Sequence, residues 1–531
     1  MNTRSDSRLP PTSQPKQNLT LRPDHFCLLL ESFRNTGTRA FWIMPPKTRT
    51  KAYTHLKLTF TTSPHASRGG YKQATTKQLS AATTAQGKIL NPPSTSSSEP
   101  EEYASTFPAP LVLPDDELSW DPTYDGQSVN SWIRGSYQNE VTPDRKTLYL
   151  VPPPVFGKGL EEDYRWKTPV LKKSKTPKRV EWTEKDTENT LEYLRAFYYG
   201  MEVKMLPGEP LCFTADVDEE PDPARPVKKR RTGEGKAKAT ETKSPTLWLQ
   251  THTSTSLLGV RTRALPKGLY SHQLNLNDIL EAAMEILPDD AYAVVMLVEH
   301  DMFEDEEDDF ACGRAYGGSR VCVVSTARYD PMVDGVQSVP RDHGWPASHC
   351  TDYIEKCVEE AEDDQEEDEE VRPKKKRMAG VKIEKEKGSG TVNPMQAAVT
   401  AQLSLPSLEM SPSAEALAGL WLGRVCRTAS HELGHCFGMD HCIYYACSMQ
   451  GTASIIEDAR QPPYLYPVDL RKLLYATGVD ERERYEALQE FCGRFEEVQM
   501  FKALAAWMEG RIGQLDVEKQ ENTKDNPIIL E

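Results

Sequence analysis

The 531-residue sequence predicts an α/β fold in which a mixed, mostly parallel sheet packs against helices. Two apolar runs, Ala291–Val298 and 320–325, are nearly continuous, which is typical of strands that are buried on both faces. Between Leu276 and Ile286, apolar residues recur at helical spacing. Because a helix precedes the first of these two buried strands, we expect a sheet covered by helices.

Further elements are predicted on both sides of this region. A strand is predicted at Thr147–Val151, a helix at 184–199 and a strand at 247–249. The acidic run 304–309 lacks the alternating ligands and central glycine of a calcium loop, so we interpret it as a solvated loop. Amphipathic helices are expected near the C-terminus, at about 468–475, 481–497 and 500–512.

Composition divides the chain into ordered and disordered parts. The first 125 residues are rich in Ser, Thr, Pro, Lys and Gln and have few periodic apolar positions, so they are predicted to be disordered. Met44 is an alternative start, which would make the preceding residues an upstream extension. The predicted organisation is a disordered region at 1–125, one domain at 126–512, low-complexity insertions at 218–245 and 356–394, and a disordered tail at 513–531.

Charge and cysteine usage exclude some classes of protein. The formal net charge of −16 argues against a general nucleic-acid binder, which needs excess Lys and Arg. No apolar run approaches the roughly 20 residues that span a bilayer, and the run at 26–30 is too short for a signal-peptide core. The 11 cysteines lack regular spacing, so we expect a reducing, intracellular compartment, either cytoplasmic or nuclear. The basic runs 228–231 and 374–377 fit either nuclear-import signals or solubilising loop charge.

A candidate metal site lies on a predicted helix at Ala414–Cys436, which lacks proline and has one buried apolar stripe. His431 and His435 are four residues apart, so both imidazoles lie on the same face and can bind one zinc ion. Glu432 follows the first histidine and is expected beside the metal rather than on it. These positions predict two zinc ligands and one general base.

The residues after this helix complete the predicted site. Gly438 permits a sharp chain reversal, and His441 then returns to the metal as the third ligand. Three protein ligands leave a fourth position for water, which is the catalytic arrangement of zinc. The sequence therefore predicts amide hydrolysis by a zinc-activated water, with Glu432 as general base and a peptide or protein as substrate.

The segment His431-Glu-Leu-Gly-His435-Cys-Phe-Gly438-Met-Asp-His441 resembles the metzincins, and Met449 resembles their Met-turn. The positions of Cys442, Cys447 and Met449 after the third histidine resemble the archaemetzincin pattern still more closely. The segments 310–316 and 320–329 resemble that family's strand pair before the zinc helix, so the likeness covers about 126–512 without the insertions. The resemblance implies a metzincin-like fold and a methionine that supports the base of the zinc site.

One departure from the family pattern concerns a second zinc. In archaemetzincins a later Cys-x-x-Cys joins the two earlier cysteines in a structural zinc site, whereas this sequence has Tyr466-Pro-Val-Asp469 there. Cys442 and Cys447 alone provide half of a closed tetrahedral site. Asp469 or Cys436 as a further ligand, unligated thiols, and a local disulfide all remain open.

Two other functions compete with an active peptidase. One is a zinc-binding pseudopeptidase, which would often lack the base that Glu432 provides. The other is a nuclear interaction protein that uses its charged loops. The sequence does not distinguish an aminopeptidase from an endopeptidase, because no pattern fixes the loops that form the substrate pocket.

Overall fold

The computed structural model describes residues 57–88, 99–135, 138–171, 180–214, 246–251, 257–368 and 393–525. Both basic runs and most of the two predicted insertions lie outside these residues, so their predicted roles stay predictions. In the described part of the chain, no helix combines the length and the apolar character needed to cross a membrane.

The described strands and helices follow in chain order. The strands are β1 (Thr147–Val151), β2 (Val155–Phe156), β3 (Glu202–Met205), β4 (Cys212–Thr214), β5 (Thr246–Gln250), β6 (Leu257–Ala264), β7 (His272–Asn275), β8 (Ala291–Val298), β9 (Met302–Phe303), β10 (Gly313–Tyr316) and β11 (Val321–Ser325). The α-helices are α1 (Pro64–Arg68), α2 (Thr76–Ala82), α3 (Glu99–Thr106), α4 (Glu117–Trp120), α5 (Val129–Arg134), α6 (Glu161–Tyr164), α7 (Glu184–Phe197), α8 (Leu276–Glu285), α9 (Asp334–Gln337), α10 (Thr351–Asp368), α11 (Pro394–Leu403), α12 (Ala414–Cys436), α13 (Ile455–Arg460), α14 (Pro467–Thr477), α15 (Glu481–Gly493) and α16 (Gln499–Asp525).

The central sheet has the order β10-β11-β8-β1-β3. Strands β11, β8, β1 and β3 are parallel, and β10 runs antiparallel to β11 at the edge. All eight residues of β8 are buried, as a strand covered on both faces requires. The predicted α/β class, with a mixed and mostly parallel sheet packed against helices, is confirmed.

Alternating side chains of the central strands enter two separate cores. Leu148, Val295 and Val324 face a core that also holds residues of α7, α12 and the C-terminal helices. Val294 and Val323, one position away on the same strands, face a second core formed with α8 and strands β4 to β6. The period of two along a strand therefore places α12 and α8 on opposite faces of the sheet.

A second sheet, with the order β2-β4-β5-β6-β7-β9, was not predicted apart from the segment around β5. Its strands are short or only half buried, and β6 carries glycine and two arginines among its eight residues. This composition gives no continuous apolar run, so the periodicity that revealed β8 is missing here. The sheet covers the α8 side of the molecule.

The prediction that residues 1–125 are disordered is wrong for the described residues between 57 and 125. The stretch 105–113 is buried at every position. Within it, Phe107 packs edge-on against Tyr466 and Trp507, with ring centroids 5.1 and 5.9 Å away. Prolines interrupt residues 107–113 of this stretch, which adopt neither helix nor strand and show no periodic pattern. The ordered fold therefore includes part of the predicted N-terminal tail.

Two other predicted boundaries also differ from the structure. Helix α10 continues to Asp368, so the acidic first part of the predicted insertion 356–394 is helical. Helix α16 continues to Asp525, into the predicted disordered tail 513–531. In both places, charged residues at helical positions extend a helix whose first turns are packed against the domain.

The buried His349, whose carbonyl accepts a hydrogen bond from the Thr59 amide, gives a testable pH dependence. It is 1% exposed, and burial, with a smaller contribution from the charge of Arg460, lowers its pKa from 6.5 to about 3. The unfolded chain binds this proton below pH 6.5 and the folded chain does not, so the free energy of unfolding falls as the pH drops from 6.5 to about 3. The slope is about 1.4 kcal/mol per pH unit.

We expect the wild type to lose about 2 kcal/mol more than a His349→Phe variant between about pH 7 and pH 5. Denaturant unfolding at the two pH values measures this difference. Equal losses in the two proteins would show that the His349 pKa is not lowered.

Candidate metal centre

Helix α12 has the predicted bounds, Ala414–Cys436, and it carries the first two histidines of the predicted site. It begins after Ser413, whose hydroxyl accepts a hydrogen bond of 3.1 Å from the Ala416 amide. Every residue from 421 to 436 is buried, because this helix packs on the central sheet near β10 and β11. The buried Arg424 and Arg427 are balanced by ion pairs to Asp334 and Asp458. The helix is therefore a rigid support for the histidines.

The three predicted histidines converge at one place. His431 Nε2 and His435 Nε2 are 3.1 Å apart. The ring centroid of His441 lies 5.5 Å from that of His431 and 5.2 Å from that of His435. One ring nitrogen from each residue lies within 4.8 Å of the other two. Zinc–nitrogen bonds of about 2.0 to 2.1 Å in a tetrahedron separate the nitrogens by about 3.3 Å, which is close to this arrangement.

Gly438 allows the third histidine to return to the helix. Its φ is +73°, a left-handed conformation that favours glycine. The Gly438 amide donates to the His435 carbonyl at 2.9 Å, and the Met439 amide donates to the Gly434 carbonyl at 3.2 Å. These bonds end the helix and turn the chain so that His441 faces the first two ligands.

The outer ring nitrogen of each histidine has an acceptor as its partner. His431 Nδ1 lies 2.7 Å from the Ser448 carbonyl, and His435 Nδ1 lies 2.8 Å from the Met439 carbonyl. A carbonyl oxygen can only accept, so each Nδ1 carries the proton and each Nε2 presents a lone pair. Two buried lone pairs 3.1 Å apart repel one another unless a cation lies between them. The donor set therefore fits a zinc ion.

Burial also keeps His431 and His435 neutral. Burial, with a smaller contribution from the nearby His441, lowers the pKa of His435 to about 4. Burial likewise holds the pKa of His431 well below its usual value, with His435 and His441 contributing. Neutral imidazole is the form that binds a metal ion.

Glu432 lies beside the three imidazoles, in a cleft. Burial raises its pKa to about 8, and the residue is 2% exposed. Its Oε2 has no hydrogen-bond partner among the described residues. A Cβ at Gly313 would lie 2.9 Å from its Oε1, so glycine at the start of β10 leaves space for this carboxylate. The walls of the cleft include Phe310, Cys312, Tyr329, Thr428, Thr452, Ser454, Ile455, Asp458 and Gln461.

Met449 lies beneath the three histidines. The residue is fully buried. A Cβ at Gly434 would lie 2.4 Å from its sulfur, so the methionine packs against the helix between the two histidines. The Met449 carbonyl accepts a bond of 2.7 Å from the Cys442 amide. The turn at Met449 is thus hydrogen-bonded to the residue that follows His441.

Glu117 contacts the site, although the sequence did not predict this contact. Its Oε1 lies 2.8 Å from Nδ1 of His441, and its amide donates to Glu457 Oε2 at 2.9 Å. The carboxylate packs against Gly451, where a Cβ would lie 2.2 Å from its oxygens. A carboxylate on the outer nitrogen of a metal-binding histidine fixes the ring and its tautomer. No local pattern reveals this contact, because 324 residues separate Glu117 from its partner.

Replacing Glu117 by alanine should weaken zinc binding by about 10- to 100-fold, because His441 loses the group that orients it. Competition with a chromophoric chelator measures the affinity. The matched control is Asp121→Ala, which removes an exposed carboxylate from the same segment. Equal affinities in Glu117→Ala and the control would exclude Glu117 from the metal site.

Cys442 and Cys447 also come together, next to Asp469 rather than next to Cys436. One ligand atom from each of these three residues lies within 4.8 Å of the others, and all three residues are buried. Cys442 of this cluster directly follows His441 in the chain. All ten cysteines in the described part of the chain are free thiols, so the local disulfide left open by the sequence is absent there.

A helix with two imidazoles four residues apart, a glycine turn, a third imidazole and a methionine beneath them together define a metzincin-type zinc centre. The model of peptidase family M54 matches residues 396–471, which contain all of these features. Over these residues the chain is similar to that peptidase family, and curated archaemetzincins are among its relatives.

Curated relatives match a short part of the chain. Archaemetzincin-2 of Macaca fascicularis is 49% identical over 65 residues, which are 12% of this chain and 18% of the relative. Archaemetzincin-1 of Homo sapiens is 37% identical over 102 residues, which are 19% of this chain and 20% of the relative. The match thus spans about a fifth of the length of these relatives.

Solved structures align over a longer stretch at low identity. The crystal structure of an archaemetzincin from Methanopyrus kandleri covers 64% of this chain and 99% of that chain, with 14% identity and a TM-score of 0.27. A zinc-dependent peptidase from Methanocorpusculum labreanum covers 61% and 99%, with 12% identity and a TM-score of 0.27.

Proposed function

We propose that this chain is a zinc-dependent metallopeptidase that hydrolyses peptide bonds. The observation that carries the proposal is the arrangement of three imidazoles, each with its Nδ1 beside an acceptor. One ring nitrogen of each histidine lies within 4.8 Å of the other two. The match of residues 396–471 to the model of a peptidase family supports the same conclusion. The proposed ligands of one catalytic zinc are His431, His435 and His441.

A zinc ion bound there supplies two effects, since it polarises a carbonyl oxygen and lowers the pKa of a water toward about 7. The chain supplies the proton transfer. Glu432 takes the proton from the attacking water at its carboxylate and delivers it to the leaving amine. Burial raises the pKa of Glu432, which makes its carboxylate a stronger base for this transfer.

The edge strand β10 provides a place for the peptide. It is the last strand of the central sheet, and Cys312 immediately before it lines the cleft beside Glu432. An extended peptide can add to the edge of a sheet through main-chain hydrogen bonds. A substrate that lies along β10 would bring its scissile carbonyl toward the three histidines.

The retained base favours an active enzyme over a pseudopeptidase. Glu432 is buried, lacks a structural partner for Oε2 and has room made for it by Gly313. A buried carboxylate with an unpaired oxygen is unfavourable for stability. A role in catalysis therefore accounts for the buried Glu432 carboxylate better than a role in packing does.

Removal and return of zinc test this proposal. The purified full chain is incubated with a peptide library before chelation, after chelation, and after zinc is added back, and the products are identified by mass spectrometry. We expect cleavage to disappear with the metal and to return with zinc, while magnesium serves as the control that does not restore it. Cleavage that survives complete removal of the metal would refute a zinc peptidase.

A further inference from the structure

The cluster of Cys442, Cys447 and Asp469 lies where the family resemblance implies a second, structural zinc. A closed zinc site needs four ligands, and this cluster supplies three donor atoms among the described residues. Tyr466, at the first position of the missing cysteine pair, turns its ring away into an aromatic cluster. That ring stacks on Tyr445 at 5.0 Å, and its hydroxyl lies 3.0 Å from the hydroxyl of Tyr464.

Asp469, at the second position of the missing pair, already has partners for both oxygens. Its Oδ1 lies 2.8 Å from Lys472 Nζ, and the side chains of both residues are 1% exposed. Its Oδ2 accepts from the Cys447 thiol at 3.5 Å. A zinc ion bound to this carboxylate would lie close to a buried ammonium of the same sign, which is unfavourable at low dielectric. The residues present therefore do not fit a second zinc.

The sulfur of Cys447 is satisfied without a metal as well. It accepts hydrogen bonds of 3.4 Å from the amides of Met449 and Tyr466. The cluster thus holds two free thiols and one ion pair.

The ion pair is connected to the turn that carries the third histidine. Lys472 Nζ donates to Gln127 Oε1 at 2.7 Å. The same oxygen accepts from the Asp440 amide at 3.1 Å, and Gln127 Nε2 donates to the Gly438 carbonyl at 3.0 Å. Gln127 therefore joins α14 to Gly438 and Asp440, in the turn that precedes His441.

We propose that the buried Lys472–Asp469 ion pair, acting through Gln127, replaces the second zinc of the family and positions the turn that carries His441. Lys472 and Gln127 are positioning residues in this account. The cross-link is made by hydrogen bonds rather than by a metal, so it forms in the zinc-free chain. The protein then binds one zinc ion per chain, and the inference stands whether or not that zinc is catalytic.

Zinc counting tests the loss of the second site. Inductively coupled plasma mass spectrometry gives the zinc content of the full chain and of its Cys447→Ser variant. We expect one zinc per chain in both proteins. Two zinc ions in the wild type and one in the variant would overturn the inference. No zinc in either protein would agree with the loss of the cysteine site but would contradict the proposed function.

Two variants test whether the ion pair has taken over the structural role. Lys472→Met leaves the Asp469 carboxylate buried and unpaired, whereas Lys472→Met with Asp469→Leu removes both charges. In zinc-free protein, we expect the single variant to unfold at a lower temperature than the double variant. The exposed neighbour Arg471→Met is the matched control and should match the wild type. A single variant as stable as this control would overturn the proposal.

Gln127→Leu tests the link to the metal turn while the ion pair remains. We expect zinc affinity to fall about tenfold, as for other groups that orient metal ligands. The unfolding temperature of the zinc-free variant should fall less than that of Lys472→Met. Unchanged zinc affinity would show that the cross-link does not position His441.

Discussion

Glu432→Gln should abolish peptide cleavage while the protein still binds zinc at the three histidines. Glutamine has nearly the same shape as glutamate but cannot accept the proton of the attacking water, so kcat should fall by about 10²- to 10⁴-fold. Glu432 is not among the three converging ligands, so the zinc content should stay the same. Steady-state kinetics on one cleaved peptide, together with metal analysis, separates the two effects.

The control for this variant is Glu415→Gln, which changes an exposed carboxylate in the first turn of the same helix. It should leave both cleavage and zinc content as in the wild type. If Glu432→Gln still cleaved peptide at the wild-type rate, Glu432 would not be the general base, although a zinc site could remain.

Arg460→Met should produce a large loss of stability. Arg460 forms a buried ion pair with Asp116, and this pair fastens the segment that carries Glu117 to helix α13. Methionine would leave the Asp116 carboxylate buried without its partner, which costs about 3 to 5 kcal/mol. Denaturant unfolding measures the change in the free energy of unfolding.

A paired replacement separates this effect from simple loss of packing. Arg460→Met with Asp116→Leu removes both charges, and we expect it to be clearly more stable than Arg460→Met alone. Equal stability of Arg460→Met and the wild type would mean that the segment around Asp116 is not fastened through this pair. The ordered N-terminal segment would then need another anchor.

The elements that sequence reasoning located correctly have strong local signals. Strands β1 and β8 and helix α12 have the predicted bounds, because continuous apolar runs or a proline-free helical stripe mark them. His431 and His435 converge because a spacing of four residues places both side chains on the same face of a helix. Gly438 adopts the left-handed conformation that the predicted reversal needs.

The features that were missed depend on contacts between distant residues. Phe107 lies in a proline-containing stretch whose burial comes from Tyr466 and Trp507, far along the chain. Glu117 reaches His441 only after that stretch has packed. Lys472 resembles any helical lysine in the sequence, and its burial beside Asp469 appears only in the folded chain. Local periodicity contains no information about such contacts.

X-ray absorption at the zinc edge of the zinc-loaded protein tests the central claim most directly. Three imidazoles and one water predict a first shell of about four nitrogen or oxygen atoms at about 2.0 to 2.1 Å. The account predicts this shell with the multiple scattering of imidazole and without sulfur. A sulfur shell at about 2.3 Å would contradict it, because zinc would then be bound by the cysteines instead of by His431, His435 and His441.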